Sequence, residues 1–195
     1  MKQLAASAAA ATLGLADFGR TAAPVACSVD TVHSRRTFYV NRFSFSKSVG
    51  EFEVGAGTFT FDNGDRSNST AEVELPVQSL VLGDARWNSD ILNAGFLEAA
   101  KYPEIDFASR KFEEIAGGSA KLYGDRTIKG VTRPVVLDRR VDKVGEHPMR
   151  EIPTAGFAAT TTIEHAEVGV TRLLPMVSDD REIRIEIEAF VPPPG

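Results

Sequence analysis

The side chains able to do chemistry are few and scattered. There are three histidines, His33, His147 and His165, and one cysteine, Cys27. No two histidines have the H-E-x-x-H spacing, or a comparable one, that sets imidazoles on one helix face for zinc. No G-x-S-x-G elbow and no phosphate-cradling glycine loop is present. A lone cysteine near the N-terminus has no fixed base beside it, and it excludes both an internal disulfide and a multi-cysteine metal centre. Asp179 and Asp180 read as turn residues rather than as an acid–base pair. No catalytic residue, metal or cofactor is expected. Two polar positions remain. His33 follows Asp30 by three residues, just before an alternating segment, and suits either a hydrogen bond to Asp30 or contact with the polar end of a ligand. Arg42 closes the same segment, and a guanidinium there suits phosphate or carboxylate.

The elements that must position these side chains read as strands. Gly124 to Leu137, GDRTIKGVTRPVVL, is the organising stretch. Gly124 and Gly130 bracket a polar turn, and Val131, Val135, Val136 and Leu137 form a β-branched, apolar run. Proline cannot donate to a sheet ladder, so Pro134 places this strand at an edge, at a bulge or near its start. Strict alternation recurs along the chain. Phe38 and Val40 oppose Thr37 and Tyr39. Phe59 and Phe61 alternate with threonines. Ala71, Val73, Leu75, Val77 and Ser79 share one face of Ser69–Leu80. Ile105 and Phe107 oppose Glu104 and Asp106, and Ile183, Ile185, Ile187 and Ala189 alternate with charged residues. A hairpin is expected around Gly117-Gly118. Asp84 to Pro103 reads as the one helical insertion, with Trp87, Ile91, Leu92, Phe96 and Ala99 near helical spacing. About eight strands with no βαβ rhythm make an antiparallel all-β sandwich or closed barrel. Small inward residues such as Ala71, Ser79, Ala159 and Ala189 tilt the choice to a barrel with a cavity.

A chain of 195 residues suits one domain, and its net charge of −5 argues against non-specific binding to nucleic acid or anionic membrane. Met1-Lys2 followed by the Ala/Leu-rich Leu4–Ala16 reads as a signal peptide, too short to span a membrane. Residues 1–26 are the expected leader, cut after Ala26. That cut would make Cys27 the first residue, but Pro24 stands where lipoprotein signals carry leucine, which argues against an anchor at Cys27. The expected domain is 27–191, and 192–195 (Pro-Pro-Pro-Gly) is a disordered tail.

Taken in order, these blocks resemble the YceI-like family. Gly124, Thr127, Gly130, Val131, Thr132, Pro134 and Val135 match its G-x-L-T-x-x-G-V-T-x-P-V segment. Asp30, His33, Ser34, Phe38 and Val40 match its opening, Gly50 and Phe52 its G-x-F, and Arg86, Phe96, Leu97, Tyr102 and Pro103 its helical region. Gly156, Phe157, Ala159 and Ile163 match a later block. The chain departs from the pattern at Arg36, where an apolar residue is usual, at Arg42 for histidine and at Arg126 for leucine. The resemblance spans roughly residues 29 to 190. It implies an all-β fold, an antiparallel eight-stranded lipocalin-like barrel with one helical insertion, in an exported periplasmic protein. The implied ligand is a long apolar lipid of the polyisoprenoid type, or an isoprenoid quinone, held in a tunnel. The expected lining is Phe38, Val40, Phe59, Leu75, Val77, Ile105, Phe107 and Ile185, with His33 and Arg42 as polar head contacts. A soluble, non-enzymatic carrier follows, with a homodimer left open. The alternative is an envelope stress or interaction protein whose barrel is filled.

Overall fold

The structure is a computed structural model that describes residues 24–62, 64–115 and 119–192. Most of the expected leader, the Gly117-Gly118 turn and all but Pro192 of the tail lie outside these residues. The chain runs through β1 (Val25–Val29), β2 (Arg35–Arg42), β3 (Ser46–Glu53), β4 (Gly57–Phe61), β5 (Thr70–Pro76), α1 (Ala85–Leu92), β6 (Glu104–Glu114), β7 (Ser119–Ile128), β8 (Val131–Glu146), β9 (Pro153–Glu164) and β10 (Val177–Phe190).

All pairings are antiparallel. From β4 to β10 each strand pairs with the next in sequence, and β1 pairs with both β4 and β10, which closes an eight-stranded barrel. The closing contact is short, Ser28 opposite Phe190 and Val29 opposite Ala189. The N-terminal part of β10 pairs instead with β2, which forms a hairpin with β3 and lengthens the barrel at one end. Ten strands are thus present among the described residues, two more than the expected eight. The extra pair arises because the first edge breaks at Asp30–Ser34 and resumes on the same partner. Buried Ser34 heals the break, its hydroxyl accepting from the Glu188 amide at 3.1 Å. Reciprocal 3.0 Å bonds between Glu51 and Val81 tie the far edge of β3 to the segment after β5.

Alternation explains which side chains face inward. In β7 every second residue from Ala120 to Ile128 is buried. The hairpin to β8 turns on Lys129 and Gly130, with φ of 52° and 70°, the doubly positive turn that matches strand twist. Pro134 lies within β8 opposite Asp125, but β9 pairs with β8 only from Asp138 onward. Locally, then, Pro134 does sit on an edge.

Two sequence expectations require correction. The strand through residues 69–80 ends at Pro76, and Val77–Ser79 form a 3-10 turn. Val77 still donates to the Pro103 carbonyl at 2.8 Å, in register with the β5–β6 ladder, but Ser79 Oγ donates to the Pro76 carbonyl at 2.6 Å and the Leu80 amide to the Val77 carbonyl at 3.3 Å, bonds that turn the chain out of the ladder. The helix is also shorter than 84–103. Asp84 caps it by accepting from the Trp87 amide at 2.8 Å, it ends at Leu92, and turns follow in which Glu98 has a φ of 54°. The expected cut after Ala26 falls inside β1, where Ala26 pairs with Thr60.

Candidate functional site

The barrel encloses two adjoining cavities. The outer one, of about 370 Å³, lies at the end lengthened by β2 and β3. Phe38, Val40 and Phe52 line its wall, while Trp87 and Ile91 of α1 and Phe96 and Leu97 after it lie over it. The inner one, of about 130 Å³, is lined by Phe59, Val73, Leu75, Phe107, Phe157 and Ile185 among others. Arg36, Ile105, Ile163 and Ile183 line both and form the partition between them. A volume of several hundred cubic ångströms with apolar walls and few polar groups is the form of a small-molecule site.

Of the eight expected lining residues, Phe38 and Val40 face the outer cavity. Phe59, Leu75, Phe107 and Ile185 face the inner, and Ile105 faces both. Val77 lines neither: the turn after Pro76 drives it into the main core, 2% exposed. His33 also lies outside both. Its Nδ1 is 3.1 Å from Asp30 Oδ2 and its ring is exposed, so the structural partner is realised. Arg42 lines the outer cavity as an exposed rim residue, its guanidinium 5.4 Å from the Phe43 ring and 5.7 Å from the Trp87 ring.

Buried Asp30 accepts from the Val32 and His33 amides and forms an ion pair with Arg150 at 2.7 Å. Burial works to raise its pKa, but the hydrogen bonds from His33 and Arg150 outweigh it and hold the carboxyl at about 2. Asp30, His33 and Glu188 lie close enough to share an ion, as do Glu74, Glu104 and Asp106. In the first group Asp30 is already engaged by Arg150.

Sequence reasoning missed His165 as a wall residue and Arg139 altogether. His165 faces the outer cavity, with Nδ1 2.8 Å from the Asp179 carbonyl oxygen and Nε2 accepting from Arg181 at 3.1 Å. Burial, then the Arg181 charge, push its pKa down to about 4 against the pull of Asp179, so it is neutral at pH 7. Arg36, Arg126 and Arg139 are all more than nine-tenths buried and all line the inner cavity. Strand parity could have found them. Arg36 keeps step with Phe38 and Val40, Arg126 with Leu122 and Ile128, and Arg139 with Leu137.

A closed antiparallel barrel with an apolar interior defines the class of lipocalin-like barrels. The chain belongs to the YceI family: the YceI-like domain matches residues 28–189. A UPF0312 protein of Vibrio cholerae is 28% identical over 169 residues, 87% of this chain and 89% of that one. Another from Ectopseudomonas mendocina is 29% identical over 184 residues, 93% of this chain and 96% of its own length. Among solved structures, BcnA of Burkholderia cenocepacia superposes with a TM-score of 0.73 at 21% identity, over 82% of this chain and 98% of that one. A polyisoprenoid binding domain from Saccharophagus degradans superposes with a TM-score of 0.64 at 11% identity, over 86% of this chain and 99% of that one. These two likenesses show a shared fold.

Proposed function

We propose that this protein is a non-enzymatic carrier that holds a long apolar lipid of the polyisoprenoid type inside its barrel, and that it works in the periplasm after export. The outer cavity carries this reading. Its volume and its wall of Phe38, Val40, Phe52, Ile91 and Phe96 suit an apolar chain, and burial stabilises such a chain by about 0.8 kcal/mol per methylene. The polyisoprenoid-binding domain of the same fold supports the ligand class. No helix among the described residues is long and apolar enough to cross a membrane.

Native mass spectrometry of protein purified from its own host, with organic extraction of any adduct, tests the reading. A stoichiometric adduct that extracts as an isoprenoid is expected. A clean apo mass, with no uptake of added isoprenoids, would remove the carrier reading.

A further inference from the structure

The inner cavity holds more positive charge than its surroundings balance. Arg36 on β2, Arg126 on β7 and Arg139 on β8 are 8%, 6% and 7% exposed. Among the described residues, only Arg126 of the three has an ion-pair partner, Glu167, which engages its Nη2. Four guanidinium nitrogens are buried with no hydrogen-bond partner: Arg36 Nη1, Arg126 Nε and Nη1, and Arg139 Nη2. Aromatic faces supply what contact there is. Arg36 lies 5.6 Å from the Phe52 ring, and Arg139 is held between Phe112 at 4.8 Å and Phe157 at 4.5 Å. Glu114, which acts on Arg139 through its charge, is paired with Arg66 at 3.5 Å.

Buried charges without partners are costly, and folded proteins pair them. Burial and the nearby Arg126 charge lower the pKa of Arg36 to about 10, and burial lowers that of Arg139 to about 10. Both therefore remain protonated at pH 7.

Extending the carrier reading, on which this step rests, we propose that Arg36, Arg126 and Arg139 form an oxyanion pocket, and that the lipid is an acidic amphiphile held head-first. Size and charge support this orientation. A cavity of about 130 Å³ suits a compact head group rather than a chain, while the larger outer cavity suits the tail. Arg36 lines both cavities and stands where head would meet tail. Three guanidinium groups against one carboxylate leave two positive charges, and a phosphate monoester carries about −1.5 to −2 at pH 7. A single carboxylate would leave one guanidinium unbalanced. The cations of the outer cavity fit a head group less well. Arg42 is exposed to water, and Arg181 donates to the Asp179 and Asp180 carbonyls at 3.3 and 3.0 Å and to His165.

Titration of the delipidated protein at pH 7 with farnesyl phosphate, farnesol and inorganic phosphate tests the proposal. Farnesyl phosphate is expected to bind at least about tenfold tighter than either, as charge-assisted hydrogen bonds to buried donors require. Arg36→Met and Arg139→Met keep side-chain volume and strand no acid. Each should bring the affinity for farnesyl phosphate down to that for farnesol, and an unchanged preference for farnesyl phosphate in both variants overturns the assignment of these two arginines. Farnesol binding as tightly as farnesyl phosphate overturns the oxyanion pocket and leaves the carrier reading standing. Inorganic phosphate binding as tightly as farnesyl phosphate overturns the amphiphile and the carrier together, leaving a site for a free anion. Binding of none of the three overturns both.

Discussion

Arg36 on β2 and Arg139 on β8 stand in one transverse row of the barrel wall: Arg36 faces Ile185 across the ladder, Ile185 faces Ala159, and Ala159 faces Arg139. Residues in such a row share a side of the sheet. The row therefore points two guanidinium groups at the same cavity, with a small and a medium apolar residue between them.

One consequence concerns stability. Replacing a buried, unpaired charge by an apolar residue of similar volume is neutral or stabilising. Arg139→Met in the delipidated protein should raise the free energy of unfolding in urea by about 1–3 kcal/mol. A loss of 1 kcal/mol or more would instead mean that the cation–π contacts with Phe112 and Phe157 hold the fold together.

His165 makes stability depend on pH. Its folded pKa of about 4 lies below the ordinary 6.5. Between those values the unfolded chain binds a proton that folded His165 refuses. Its contribution is therefore complete above pH 6.5, declines as pH falls toward 4, and changes no further below that. The decline amounts to about 3 kcal/mol at most. Urea melts between pH 7 and pH 4 should show His165→Gln losing less stability than the parent. Parallel pH profiles would sink this account.

Two glycines should respond differently to alanine. A Cβ on Gly50 would clash with the Phe38 ring and meet Leu82 Cδ2 at 2.7 Å, both movable side chains of the outer cavity. Gly50→Ala should push Phe38 into that cavity and weaken lipid uptake. A Cβ on Gly124 would meet the Ala108 carbonyl oxygen at 2.5 Å, within a strand that cannot shift alone. Gly124→Ala should cost roughly 2–3 kcal/mol of stability, as overpacking does. A fluorescent lipid displacement assay and urea melts on both variants separate the two effects. Unchanged uptake in the first, or unchanged stability in the second, would contradict the geometry.

Cys27 is buried within β1 against Phe61 and Phe157, and burial raises its thiol pKa to about 11. The native protein should react with Ellman's reagent only as fast as it opens, and fully once denatured. Rapid stoichiometric labelling of the native state would show that β1 is not docked as described.

Much of the wall was legible beforehand because a half-buried strand writes its orientation into every second residue. Phe38, Val40, Phe59, Leu75, Ile105, Phe107 and Ile185 follow from that rule and line the cavities. Val77 did not, because the rule holds only while the strand lasts. The strand ends one residue earlier at Pro76, where Ser79 Oγ bonds the Pro76 carbonyl and the Leu80 amide the Val77 carbonyl to close a turn. His33 was readable as a partner of Asp30 from their spacing alone, since an aspartate caps amides two and three residues on.

The sequence by itself determined the strand faces and the inward parity of Arg36, Arg126 and Arg139, since backbone pleat is local; the polar turn it set between Gly124 and Gly130 is confined to Lys129-Gly130, because Gly124–Ile128 pair within β7. Only the tertiary structure decided that these arginines share one cavity and that, among the described residues, just one of them meets a carboxylate. It also decided that the first edge breaks at Asp30 to serve two stretches of β10. Those facts depend on barrel closure and inter-strand register, which bring together residues about 100 positions apart.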